Sequence, residues 1–109
     1  MSALESNLRQ SLACTINNVE FPESLNKDIY RGKVRDSVTI GDKRVIVTTD
    51  RLSAFDKIIT TIPYKGAILN QLAHHWFELT KDVCPNHALS MPHPNVLISK
   101  ELKMLPVEV

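Results

Sequence analysis

Apolar and polar positions change rhythm several times along the chain, and each rhythm predicts an element. Leu4, Leu8 and Leu12 recur at helical spacing, which puts them on one face of a short helix over Ser2–Leu12. Ser2 and Glu5 have the spacing of a capping box. Such a helix is too short to stand alone and is expected to dock on its neighbours. Thr15 to Asp28, with Asn17-Asn18 and Pro22, is polar and without period, and reads as an irregular connection. From Tyr30 to Ile40 the rhythm becomes two: Tyr30, Gly32, Val34, Val38 and Ile40 alternate with Arg31, Lys33, Arg35, Ser37 and Thr39. This predicts one strand, with Asp36 the single break on its apolar side. Gly41-Asp42 is a turn pair, and Lys43–Thr49 returns as the second strand of a hairpin. Lys57–Ile62 predicts a third strand, ended by Pro63. Gly66–Lys81 predicts the main helix, with Leu69, Leu72, Ala73, Trp76 and Leu79 or Thr80 toward the core and Asn70, His74 and Glu78 on another face. Pro85, Pro92 and Pro94 mark a loop. Asn95–Ile98 is a short strand, and Met104–Val109 looks extended.

Composition narrows the class. In 109 residues, Lys and Arg total 13 and Asp and Glu 12, a formal net charge of +1. That balance argues against a dedicated nucleic-acid binder and against an acidic disordered tail. With 43% hydrophobic and 23% charged residues, the chain is an ordinary soluble domain with a small core. No apolar run approaches the roughly 18 residues of a membrane helix. Met1–Cys14 has no basic region followed by an apolar core, so no secretory signal is expected. Cys14 and Cys84 are far apart and form no CxxC pair, which predicts free thiols in a cytoplasmic protein. The extended pattern runs to Val109 without a cap or turn, an expectation that the chain is the N-terminal portion of a longer protein.

Three stretches hold residue types suited to ligand chemistry. In a strand, Arg31, Lys33 and Arg35 would share one face, where three cations repel unless an anion or solvent relieves them. Gly32 leaves room for a phosphate to approach the backbone. The spacing fits a phosphate-covering hairpin, and it also fits a solvated strand face. It is not a Walker A loop, because GxxxxGK[ST] is absent. Thr48–Asp56 (TTDRLSAFD) gathers two carboxylates, an arginine and three hydroxyls between two strands. Asp50 and Asp56 there suit ribose hydroxyls or an amine, while spacing alone favours local turn chemistry. Lys65, at the start of the main helix, opposes the helix dipole unless an anion binds there; otherwise it is an ordinary exposed lysine. His74, His75, His87 and His93 fit no standard zinc spacing. Trp76 and Phe77 read as core. Spacing alone thus points to a phosphate-bearing ligand and to no particular reaction.

The order of YRGKVRD, TTDRLSAFD, PYKGAILNQLAHHWF and LPVEV resembles the N-terminal part of the SAICAR synthetase family, from about Tyr30 onward. The resemblance implies an α+β fold: a small antiparallel sheet with a packed helix, forming over residues 1–109 the N-terminal ATP-binding lobe of an ATP-grasp or kinase-like architecture. It implies a ligase of de novo purine biosynthesis that joins CAIR to L-aspartate, giving SAICAR, ADP and phosphate through an acyl phosphate. Under it, Lys33 and Asp56 are catalytic. Gly32, Lys33, Arg35, Lys65, Met104 and Glu108 bind ATP, with Arg31 a weaker choice. Ser53 and Asp56 face the imidazole ribonucleotide, while Asp50 and Arg51 shape their loop. The implied cofactors are ATP and Mg²⁺, with the metal's ligands in a second lobe into which LPVEV leads. Without that lobe this stretch is expected to be inactive. The implied partners are small-molecule substrates, not nucleic acid or membrane, and a homo-oligomer is compatible with the family. The alternative from another class is a freestanding nucleotide-binding or interaction module without catalysis, able to pair through an exposed strand edge. A protein-kinase lobe is disfavoured by the missing GxGxxG run.

Overall fold

A computed structural model describes residues 2–108. Helix α1 (Ala3–Ser11) forms where the leucine spacing predicts it. Its capping box is complete: Glu5 N–H donates to Ser2 Oγ at 3.2 Å, and Ser2 N–H donates to Glu5 Oε2 at 2.9 Å. The expected docking does not occur. The helix buries none of its residues, and Leu4, Leu8 and Leu12 stay exposed. The Ser11 and Tyr64 hydroxyls, 2.8 Å apart, link it to the rest. The connection that follows is less irregular than predicted, because Glu23–Asp28 winds into a short 3-10 helix.

The predicted Tyr30–Ile40 strand is two strands. β1 (Ile29–Arg31) and β2 (Arg35–Ile40) pair antiparallel, with Arg31 opposite Asp36. Gly32 N–H donates to Arg35 O at 2.7 Å and closes the loop between them. Alternation runs straight through this loop, so period alone could not reveal the fold-back. Arg31, Lys33 and Arg35 therefore do not share one strand face: Arg31 pairs with Asp36, Lys33 sits in the loop, and Arg35 begins β2. β3 (Lys43–Thr48) returns after Gly41, whose φ of 61° is the left-handed conformation glycine tolerates.

β3 also pairs with β7 (Val96–Lys100), and β7 with β6 (Ala88–His93). The five-stranded antiparallel sheet has the order β1-β2-β3-β7-β6. β6 corrects the loop predicted around Pro92. It is an edge strand with register shifts, and an edge tolerates a residue that cannot donate to the ladder. β4 (Arg51–Ala54) and β5 (Lys57–Thr61) form a separate two-stranded hairpin. β4 lies where a loop was predicted. Phe55 and Asp56, its two-residue tip, both have positive φ, 51° and 62°. That is the pattern of a type I′ turn, normally reserved for Asn or Gly.

Helix α2 (Lys65–Thr80) lies against β3, β6 and β7 on a face rotated away from the one predicted, toward Asn70 and His74. Gly66 and Asn70 are its buried residues, whereas Leu72, Trp76 and Leu79 are exposed. A Cβ on Gly66 would stand 2.6 Å from Thr49 O and also collide with Thr48 O, so only glycine lets the backbones approach this closely. Asn70 Nδ2 donates to Pro94 O at 2.9 Å. Phe77 is half-buried, with its ring edge-on to His87 at 5.4 Å. Trp76 is thus exposed and not the core residue that its spacing predicts. Beyond Glu101 the described residues form no strand, in contrast to the extended pattern predicted over Met104–Val109, and Val109 lies outside the described residues. The fold class is α+β, as expected.

Candidate functional site

Two buried charged residues from the Thr48–Asp56 stretch organise the surrounding loops. Arg51 is almost fully buried and acts behind the Gly32 loop. Its Nε donates to Lys33 O at 3.1 Å and its Nη2 to Gly32 O at 3.0 Å. Its Nη1 donates to Asn17 O at 2.6 Å. The same guanidinium is paired with Asp36, Nη2 to Oδ1 at 2.8 Å and Nη1 to Oδ2 at 3.2 Å. Asp36 is completely buried. Burial pushes its carboxyl up, but the hydrogen bond and charge of Arg51, helped by Val19 N–H and Arg31, outweigh burial and hold it below its ordinary value. The break in the alternation is therefore an anchor for the loop-holding arginine.

Asp50 is the second organiser. Its Oδ2 accepts Ile16 N–H and its Oδ1 accepts Gly66 N–H, each at 2.9 Å. The anion predicted at the start of the main helix is thus supplied by the chain itself. Lys65, half-buried in the first turn, has a carboxylate partner for its helix end without any ligand.

The Gly32 loop overhangs a cleft of about 410 Å³ lined by Tyr30, Gly32, Lys33, Val34, Arg35, Ser37, Arg44 and Ile46. A second cleft of about 550 Å³ shares Arg35, Arg44 and Ile46 with it, and adds Glu101 and Met104. The shared residues make one trough along a sheet face. Lys33 Nζ is ion-paired to Asp56 Oδ1, joining the β1–β2 loop to the β4–β5 tip. Both side chains are open to solvent, 68% and 81% exposed. The hydrogen bond to Asp56 raises the Lys33 pKa, and the same bond lowers that of Asp56.

Of the residues singled out from the sequence, Gly32, Lys33, Arg35 and Met104 line the trough, and Asp56 joins them through Lys33. Ser53 on β4, Lys65 on α2 and the exposed Glu108 do not line it. Arg44, Ile46, Ser37 and Tyr30 were missed. The alternation of β3 places Arg44 and Ile46 on one face, yet only the β2–β3 register, Ser37 opposite Ile46 and Thr39 opposite Arg44, shows which face that is. Among the described residues no three His, Cys, Asp or Glu side chains come together as metal ligands. Asp36, Asp50 and Asp56 are each engaged with protein donors.

A family-wide model described as SAICAR synthetase matches residues 28–109. The chain belongs to the SAICAR synthetase family. A relative from Agrobacterium fabrum is 62% identical over 81 residues, which are 73% of this chain and 26% of that one. A Legionella pneumophila phosphoribosylaminoimidazole-succinocarboxamide synthase is 49% identical over 79 residues, 72% of this chain and 25% of that one. The chain thus spans about a quarter of the length of these SAICAR synthetase relatives. Among solved structures, the Saccharomyces cerevisiae SAICAR synthase complexed with SAICAR superposes with a TM-score of 0.73 and 27% identity, over 84% of this chain and 38% of that one. A type-2 SAICAR synthetase in complex with ADP gives a TM-score of 0.65 and 28% identity, over 72% and 35%. No helix among the described residues is long and apolar enough to cross a membrane.

Proposed function

We propose that this chain is the ATP-side lobe of a ligase of de novo purine biosynthesis that joins CAIR to L-aspartate. The observation that carries this reading is the trough under the Gly32 loop: Lys33 and Arg35 bring two cations to a glycine-bordered cleft, in a family with an ADP-bound member. A carboxylate is a poor electrophile. In the proposed reaction its oxygen takes the γ-phosphoryl group of ATP and ADP leaves. The aspartate amine then attacks the acyl carbon, losing a proton, and phosphate leaves as SAICAR forms. Such transfer depends on positioning and on neutralising phosphate charge.

Gly32, Lys33 and Arg35 hold the ATP phosphates, and Lys33 touches the transferred group. Arg51 keeps the two loop carbonyls turned away from those phosphates. Asp56, released from Lys33 when phosphate arrives, faces the imidazole ribonucleotide with Ser53. Met104 borders the base. Lys65 and Glu108 are weaker members, because neither lines the trough. Mg²⁺ is part of the proposed reaction, but no carboxylate cluster among the described residues fits it, so no step of this lobe is routed through the metal. The proposed setting is the cytoplasm.

The test is a chimera in which residues 28–109 replace the matching segment of the Legionella pneumophila relative. ADP release dependent on both CAIR and L-aspartate, and lost in Lys33→Ala, is the expected result. Nucleotide binding without any such release, in a folded chimera, would leave only the module reading.

A further inference from the structure

The two ends of the trough carry their charge differently. At the Gly32 end, Arg35 has no carboxylate partner among the described residues, and Lys33 is paired with Asp56 only through a solvent-exposed contact that an incoming anion can displace. At the far end the Arg44 guanidinium is held at two points by Glu101, Nε to Oε2 at 2.6 Å and Nη2 to Oε1 at 2.9 Å. Nη1 also donates to Ser37 Oγ at 3.3 Å. Both side chains of the pair are about one-third exposed, 34% and 29%. The pair is therefore neutral overall and shielded enough to keep its geometry, which suits an uncharged group better than a phosphate. Arg44 lies opposite Thr39, four residues along β2 from Arg35. At about 3.3 Å per residue the two ends are roughly 13 Å apart, comparable to an extended nucleoside triphosphate from base to terminal phosphate.

The pair also governs a segment. Glu101 N–H donates to Asp42 O at 2.8 Å, and beyond it regular structure stops. Leu102 and Met104 are exposed. Among the described residues, no side-chain hydrogen bond anchors the stretch after Glu101. Two contacts fix the direction in which 101–104 leaves the sheet: that main-chain bond to Asp42 and the forked contact of Arg44 with Glu101, the one made by side chains.

We propose that Arg44 is a positioning residue for the base of the nucleotide: through Glu101 it fixes segment 101–104 as the base-end wall of the trough, and so sets preference for a complete adenine nucleotide over bare triphosphate. This rests on the nucleotide reading above. Two probes separate the pair from the loop, the ATP analogue AMP-PNP and inorganic tripolyphosphate, each titrated calorimetrically into the purified chain. Glu101→Gln keeps the shape and removes the charge; it is expected to weaken AMP-PNP about fivefold and to leave tripolyphosphate unchanged. Arg44→Lys, which has the charge without the fork, is expected to act alike and decides the matter if Glu101→Gln fails to fold. Exchanging the charges, Arg44→Glu with Glu101→Arg, restores part of the lost affinity. Equal weakening of both probes, or an unchanged AMP-PNP affinity, overturns the positioning role. Lys33→Ala is expected to weaken both probes and tests the nucleotide reading separately. If the unaltered chain binds neither probe, that reading falls and the positioning role with it. If binding depends on Lys33 but ignores Glu101 and Arg44, only the positioning role falls.

Discussion

Two ion pairs hold the Gly32 loop, and they sit in opposite physical regimes. Lys33–Asp56 is solvent-exposed, so screening by water and salt leaves it little weight in stability. Lys33→Ala is therefore expected to leave the thermal midpoint unchanged while weakening nucleotide binding, and melting curves beside titrations check both halves. Asp36–Arg51 is buried, and removing one partner strands the other charge. Arg51→Ala is expected to cost about 3–5 kcal/mol, measured by urea denaturation. The same pair sets an acid limit. The folded Asp36 pKa lies below its ordinary value of 3.8, so the folded state favours the ionised carboxylate. Its stabilisation is complete above that value and is lost as pH falls through the folded pKa. Urea midpoints should hold steady down to about pH 4 and then drop; midpoints that rise on acidification would contradict this. The sequence revealed Asp36 as an anomaly in an apolar pattern. It could not name the partner, because Arg51 lies fifteen positions away in a stretch that read as loop.

Elements were legible where one period ran cleanly and misread where two structures share a period. α1, β3 and α2 began and ended within a residue or two of their patterns. β1 and β2 merged, because a turn of three residues does not interrupt alternation. β4 was hidden by its polar residues, among them the Arg51 that pairs with Asp36. The packed face of α2 is rotated from the predicted one because hydrophobicity pointed to Leu72 and Trp76, whereas close approach selected Gly66 and Asn70. Substitution at Gly66 tests that account. Helix propensity favours alanine over glycine by about 1 kcal/mol, which would make Gly66→Ala stabilising on an exposed helix. Here the new Cβ would meet two main-chain carbonyls, Thr48 and Thr49, and the Asn95 amide at 2.7 Å. Forcing a methyl into such a contact costs about 1–3 kcal/mol. A net loss of stability is expected, read as a lower urea midpoint with unchanged slope. A gain would mean that α2 does not seat on β3 as described.

At the scale of the molecule, the family motifs announced the fold, but not how little apolar surface the chain covers. Among the described residues its buried hydrophobic side chains are Val38, Val47 and Leu97, while Ile58, Ile59 and Ile62 near β5 and Ile68, Leu72, Trp76 and Leu79 along α2 remain exposed. Apolar stripes of that size are unusual on a monomeric protein and promote association. Periodicity could not warn of this, since a stripe turned to solvent has the same spacing as one turned to a core. The single tryptophan lies within the α2 stripe and makes the consequence measurable. In dilute solution the isolated chain is expected to show red, solvent-exposed Trp76 emission that iodide quenches freely. As concentration rises, the emission should move to the blue and quenching should fall, in step with a rising mass in sedimentation. Leu72→Glu places a charge one turn from Trp76 and should suppress both changes while leaving Lys33-dependent nucleotide binding intact. Emission that stays red while the mass rises would place the contact elsewhere, at the exposed edge of β1 or β6, where unpaired backbone groups offer the other route to pairing.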